Sequence, residues 1–408
     1  MMKKTCLWAL AGVPLVMVLG NSMLIPVLPA MKKAFGISAF QTGLVITLFS
    51  VPAGFSILFT GFLADRFGRR TVLLPALGLY ALGGLAAGLS WLLLKEQGFP
   101  YLLLSRVFQG IGAAGTAPVA MALVGDLFGG GGRSRALGVL EASNGTGKIL
   151  SPVLGAAVGI AGWFYPFFVF PLLVLPVLLA VLFLVSEPAA QRQPPSLRGY
   201  LLVLAALVNR KGLSLTGAFF AGMTVLLILF GLLFFLSEHI ETSLGVDGVP
   251  KGFLLAVPVA FMSAASYVTG RVIKKRLNLM PAVVTAGLLL LAGALASFIF
   301  VCGTVLFFAG TSLAGIGAGV ALPCLNTLVT SCIGPDARGI VTAFYGGVRF
   351  LGVAIGPPFF ALLLSLSVQT TFTVAAALAG LTALLTLLFI RGGVITSPVE
   401  VKSRKQKS

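Results

Sequence analysis

Residues 61–70 read Gly61-Phe62-Leu63-Ala64-Asp65-Arg66-Phe67-Gly68-Arg69-Arg70, with all four charges packed into the last six positions. On either side the chain is free of charge, from 34 to 64 before it and from 71 to 94 after it. A helix needs ~20 apolar residues to cross the hydrocarbon core of a bilayer. Each flank is long enough to do so, and the decapeptide is the wet turn between two crossings. Within it, Asp65 stands at a helix end beside three arginines, and Gly61 lets a neighbouring backbone come close.

The rest of the chain repeats that pattern. Of 408 residues, 58% are hydrophobic and 9% charged, against ~25% charged in soluble domains. Lipid, not water, is therefore the solvent of most of the surface. Uncharged windows at 5–31, 212–237 and 252–270 each hold one span. The windows 149–186, 277–335 and 350–390 hold or complete the others, and spans near 100–123, 135–159 and 339–364 carry internal charges. The expected total is twelve transmembrane helices. The run from Thr5 to Met31 is too long for a signal-peptide apolar region of ~7–15 residues and ends on prolines, so it reads as the first helix.

Net charge of +18 suggests nucleic acid until the cations are placed. With a cytoplasmic N-terminus, 21 of the 28 Lys and Arg fall in cytoplasmic segments, four in external loops and three inside helices. This is the positive-inside distribution. It predicts a multi-pass cell-membrane protein with both termini cytoplasmic, and it leaves no nucleic-acid surface. Cys6, Cys302, Cys324 and Cys332 lack the spacing of a metal site or disulfide framework.

The longest polar connection, 186–211, starts Pro-rich and divides the chain into a bundle over 1–185 and a second over 212–391, followed by a basic tail, 392–408. Residues 196–208 are expected to form a short helix along the membrane surface. The two halves also repeat. Gly110-Ile111-Gly112-Ala113 with Pro118 matches Gly315-Ile316-Gly317-Ala318 with Pro323 at an offset of 205. Gly145, Lys148 and Gly155 match Gly346, Arg349 and Gly356 at 201. The expected fold is all-α, two pseudo-symmetric six-helix bundles around a central site.

The decapeptide resembles the G-x-L-A-D-R-x-G-R-R/K signature of the major facilitator superfamily, complete at every defined position. The resemblance implies a cytoplasmic gate built from Gly61, Asp65, Arg66, Gly68, Arg69 and Arg70. Three further segments resemble the drug:proton antiporter branch: Leu19-Gly20 with Ile25-Pro26-Val27-Leu28-Pro29, then Arg106-Val107-Phe108-Gln109-Gly110, then Gly147-Lys148-Ile149-Leu150-Ser151-Pro152-Val153-Leu154-Gly155-Ala156. The last departs from G-x-x-x-G-P-x-x-G-G at Ser151 and Ala156. Its mate, Gly352 to Gly356 and Pro357, keeps the G-x-x-x-G-P form. Both segments are expected to pack helices closely.

An ionisable group inside the membrane costs ~2.5–3.5 kcal/mol at mid-bilayer on insertion scales, so each one points to function. Arg106, Lys148 and Arg349 are the intramembrane cations, and Glu141 is the acid within a predicted span. Glu141 and Lys148 lie two turns apart on one helix face with Asn144 between them. Two readings fit Glu141: a proton carrier working with Arg106, or a structural partner of Arg106 or a loop arginine. Asn21, Gln109, Asn144, Lys148, Asn326 and Arg349 are the expected cavity residues, with the cations drawing anionic or zwitterionic cargo. His239, beside Glu238 and Glu241, reads as a wet loop at the outer end of helix seven.

These features predict a secondary active transporter, not an enzyme, since no intramembrane catalytic set is present. The first expectation is proton-coupled efflux of amphipathic small molecules, of multidrug type. The alternative on the same fold is a specific transporter of a metabolite, siderophore or lipid-like anionic cargo. Small-molecule substrate, protons and membrane lipid are the expected partners of a monomer, with no cofactor and no resident metal.

Overall fold

The structure, a computed structural model, describes residues 2–128, 130–187, 197–273, 276–299, 303–332 and 338–390. The Pro-rich part of the linker, Lys274, Lys275, Cys302 and the basic tail lie outside the described residues. Among the described residues the regular structure is helical: α1 (Met2–Ser22), α2 (Leu28–Phe35), α3 (Ala39–Phe67), α4 (Arg69–Leu94), α5 (Phe99–Ala114), α6 (Ala117–Leu127), α7 (Gly130–Gly159), α8 (Tyr165–Leu184), α9 (Leu197–Ser243), α10 (Gly248–Ile273), α11 (Met280–Ser297), α12 (Thr304–Ser331), α13 (Arg338–Leu364) and α14 (Val368–Phe389).

α1 with α2 makes the first crossing and α5 with α6 the fourth, which gives the expected twelve. Hydropathy and length alone find ten such stretches, for two reasons. Residues Arg69–Leu127 form one apolar run holding two crossings. α7 is missed altogether, because it carries Arg133, Arg135, Glu141 and Lys148. Breaks within a crossing leave backbone groups in need of partners. Pro26 interrupts the first crossing, and the Ser237 hydroxyl donates to the Ile25 carbonyl at 2.7 Å. At the α5–α6 break, Thr60 donates to the Ala114 carbonyl at 3.1 Å.

Helix ends follow local chemistry. Ser38 and Gln41 form a reciprocal capping box on α3, and Gly68 ends that helix at φ +106°. Ser367 caps α14 by accepting from the Thr370 N–H at 2.9 Å. α9 differs from expectation. It runs unbroken for 47 residues, so the expected surface helix at 196–208 is instead the first part of this rod. No proline falls between 197 and 243 to break it.

The halves pack alike. α1 packs on α7 and α8 as α9 packs on α13 and α14; α4 packs on α5 and α8 as α11 packs on α12 and α14; α3 meets α5 as α10 meets α12. The repeated glycines mark those contacts. A methyl on Gly110 would lie 2.1 Å from the Phe49 carbonyl oxygen, and one on Gly315 would lie 2.2 Å from that of Pro258. Gly155 sits against the Met23 carbonyl and Gly356 against that of Leu227, at 2.0 and 2.4 Å by the same measure. Apolar matching cannot drive helix association in lipid, so close approach of this kind supplies the packing energy.

The seam between the halves runs along α3 against α13, α7 against α10, and α2 against α9. Gly43 meets the Pro357–Pro358 backbone, Thr47 donates to the Ala354 carbonyl at 2.6 Å, and Gly54 and Gly347 cross closely. On α7 and α10, Gly252 meets Pro152 and Ala156. These contacts run along α3 from Gly43 as far as Ile57, which meets Gly346 and Gly347.

Candidate functional site

The 61–70 loop sits where α3 ends, and it ties four helix ends of the first bundle together. Arg69 Nε lies 3.0 Å from Asp126 Oδ2 at the end of α6, and its Nη2 lies 3.4 Å from Asp65 Oδ1. Glu187, just beyond α8, accepts the backbone N–H groups of Arg69, Arg70 and Thr71 at 2.8, 2.7 and 3.2 Å. A carboxylate there complements the positive end of α4. Arg70 donates to the Leu182 carbonyl, while exposed Arg66 stacks over Phe67. Gly68 is needed twice: its φ lies in the region L side chains avoid, and a Cβ would press on the Glu187 carboxyl at 2.9 Å. Gly61 is half-buried on α3. Sequence reasoning missed Asp126 and Glu187. Each is an acid at the end of a helix facing this loop, which was the available signal.

Arg106 is fully buried, and its partners are neutral. Its Nε donates to the Val45 carbonyl at 3.1 Å, Nη1 to the Gly20 carbonyl at 3.2 Å and to Gln109 Oε1, and Nη2 to Asn21 Oδ1 at 3.0 Å. The guanidinium also lies over the Phe49 ring at 4.4 Å. Hydrogen bonds from a charged donor are worth ~1.5–3 kcal/mol each and a desolvated cation–π contact ~2. Together they hold the charge without a carboxylate. Asn21 and Gln109 are thus Arg106 ligands deep in the first bundle rather than free cavity groups, although the Gln109 Nε2 has no partner among the described residues. The expected link between Glu141 and Arg106 is absent for the same reason: neutral groups fill the positions around the guanidinium.

A different set lies on α7, α12 and α13. On α7, Glu141 is exposed and Asn144 and Lys148 are half-buried; on α13, Arg349 is half-buried; on α12, Asn326 is exposed. Arg349 Nη1 donates to Asn326 Oδ1 at 3.1 Å, and the guanidinium lies over Tyr345 at 5.5 Å. Its Nε and the Tyr345 hydroxyl have no hydrogen-bond partner among the described residues. Lys148 feels the charges of both Arg349 and Glu141. The structure thus brings together the two cations that the internal repeat paired, one from each half. Neither forms an ion pair among the described residues. Two positive groups, one from each half and within electrostatic reach of each other, with amides beside them and open hydrogen-bonding capacity, form an anion-attracting surface. No group of acids, Cys or His among the described residues could hold a metal.

The antiporter-like segment departs from its pattern at two positions, and both are accommodated. Ser151, fully buried, turns its hydroxyl to the Leu19 carbonyl at 3.4 Å, where its mate Gly352 sits against the Met223 carbonyl. Ala156 faces Gly252, so the missing glycine on α7 is supplied by α10. Gly147 packs on Leu15, and Pro152 and Pro357 lie inside α7 and α13.

The model of the Major Facilitator Superfamily matches residues 10–357 and, again, 219–408. The chain belongs to the major facilitator superfamily. As a member of that superfamily it is a transporter of small molecules. Among curated proteins it is 40% identical over 359 residues to the bacillibactin exporter of Bacillus subtilis (strain 168), a match covering 88% of this chain and 89% of that one. It is 25% identical to the multidrug efflux protein YfmO of the same organism, over 86% of this chain and 84% of the relative. Among solved structures, the human organic anion transporter MFSD10 superposes with a TM-score of 0.72 at 21% identity, over 94% of this chain and 99% of that one. The D-xylose–proton symporter gives 0.79 at 14% identity, over 97% and 99%. At these identities the superpositions speak for the major facilitator fold alone.

Proposed function

We propose that this major facilitator protein exports an anionic, oxygen-rich small molecule of the siderophore type across the cell membrane in exchange for protons. The observation that carries this reading is the pair Lys148 and Arg349, cations from opposite halves that form no ion pair among the described residues. Siderophores bind ferric iron through several anionic oxygens, which suits two cations flanked by Asn144 and Asn326. The 40% relative named for bacillibactin export makes bacillibactin the first cargo to try.

In this reading the cleft alternates between sides as the two bundles rock. The positive-inside distribution supports a cytoplasmic 61–70 end, and cargo is taken up from that side. Asp65, Asp126 and the arginines gate that end, and Glu141, exposed on α7 two turns from Lys148, carries the proton. The multidrug reading is supported by the 25% relative, but cationic drugs would meet two cations in the cleft.

Affinity of the purified protein for bacillibactin tests the assignment. A hydrogen bond between charged groups contributes ~1.5–3 kcal/mol, so Lys148→Ala and Arg349→Ala are each expected to weaken binding about 10- to 150-fold. Unchanged affinity in both variants would remove the basis of the proposal.

A further inference from the structure

We propose that Lys32, Lys33, Glu238 and Glu241 form an ionic latch that holds the two halves together at the end remote from the 61–70 loop. Lys32 and Lys33 close α2 in the first half, and Glu238 and Glu241 stand one turn apart on α9 in the second. Lys32 pairs with Glu238, and Lys33 Nζ lies 2.7 Å from Glu241 Oε1. The sequence reading of this stretch as a wet loop was therefore incomplete: its acids face the other half.

A third cation makes the latch reversible. Lys251, on α10 of the second half, is fully buried and lies 2.8 Å from Glu241 Oε2. When the halves part, Lys33 leaves but Lys251 stays, so Glu241 is never stranded as an unpaired charge. Lys251 is a positioning residue that aims the carboxylate across the seam. Lys32 and Glu238 are each about one-third exposed, at 33% and 29%, so both reach water on release at little cost. Behind them lies a small void lined by Leu28, Pro29, Thr42 and Phe234. Among the described residues, Asp247 lies within electrostatic reach of Lys33, and His239 stacks on Phe235 and lies tilted against Phe307.

The latch rests on the alternating-access reading above, and one experiment separates the two. Spin labels at Phe40→Cys and Ser243→Cys, one on each half at this end, report opening by electron–electron resonance distances in lipid nanodiscs, with the four native cysteines replaced. Two partly exposed pairs predict that Lys32→Glu with Lys33→Glu raises the open-to-closed ratio about three- to tenfold. Lys32→Glu alone should give part of that rise, and adding Glu238→Lys should reverse it. Moving the unsubstituted protein from about 50 to about 500 mM salt should shift the ratio the same way, with a smaller shift once both lysines are alanine. A ratio unmoved by Lys32→Glu, or not restored by the swap in monodisperse protein, overturns the latch. A single distance under every condition, cargo included, overturns alternating access and the latch with it.

Discussion

Gly54 and Gly347 offer the most direct mechanical test of the seam. A methyl on Gly54 would lie 2.8 Å from the Gly347 carbonyl oxygen and 3.2 Å from Phe350 Cβ; one on Gly347 would lie 2.5 Å from the Gly54 carbonyl oxygen. Carbon–oxygen contacts in packed helices settle at ~3.3–3.6 Å. Gly54→Ala must therefore push α3 from α13 by about 0.5 Å, and Gly347→Ala by about 0.8 Å. Gaps of that size forfeit a quarter to a half of each dispersion contact they open, and overpacking costs ~1–3 kcal/mol. The penalty falls on the state in which this seam is closed, so the equilibrium moves about 5- to 150-fold towards the other state. Thr42, buried at the seam beside the void, reports it. With Thr42→Cys as the sole cysteine, labelling by a membrane-impermeant maleimide in intact cells should accelerate by that factor. The double variant should gain less than the product of the singles, because the first methyl already parts the helices. Gly78→Ala, with nothing near its added methyl, should label at the parent rate. Equal labelling of Gly54→Ala and Gly78→Ala would refute the tight seam.

Three further outcomes follow from the other contacts. Glu187→Ala removes the acceptor of three backbone N–H groups at the start of α4 and should cost ~1–2 kcal/mol, seen as a lower melting temperature in detergent; Glu187→Asp, one carbon shorter, should recover only part of it. Arg106→Lys keeps the charge but cannot fork to Gly20, Val45, Asn21 and Gln109, so it should lose thermal stability and transport almost as fully as Arg106→Ala. Glu141→Gln should bind cargo but lose substrate-driven proton movement in a pH-dye assay in proteoliposomes; preserved proton flux would move the carrier elsewhere.

Much of the architecture was written in periodicity and charge. Crossings that are uniformly apolar announced themselves, and the repeat of Lys148 in Arg349 foretold the facing cations because the same packing is used twice. What escaped depended on contacts between residues distant in sequence. Glu187 and Asp126 lie 118 and 57 positions from Arg69, and nothing local links them to the 61–70 loop. Lys32 and Glu238 lie 206 apart and meet only when the two bundles close. Arg106 shows the converse error. Its position in the span suggested an acid partner, while the fold satisfies it with carbonyls, amides and a ring. The surface helix expected at 196–208 failed for a simpler reason, since a Pro-free helix has no cause to stop before the next crossing.

The central claim is that cargo enters the cleft from the cytoplasmic end as an anion held by Lys148 and Arg349 and leaves in exchange for protons. Everted membrane vesicles with an acidified lumen test it in one measurement, the uptake of iron-free bacillibactin with and without a protonophore. The account predicts accumulation that collapses with the protonophore and is lost in the Lys148→Ala, Arg349→Ala double variant. Accumulation of a cationic dye instead, with bacillibactin excluded and the double variant as active as the parent, would contradict it.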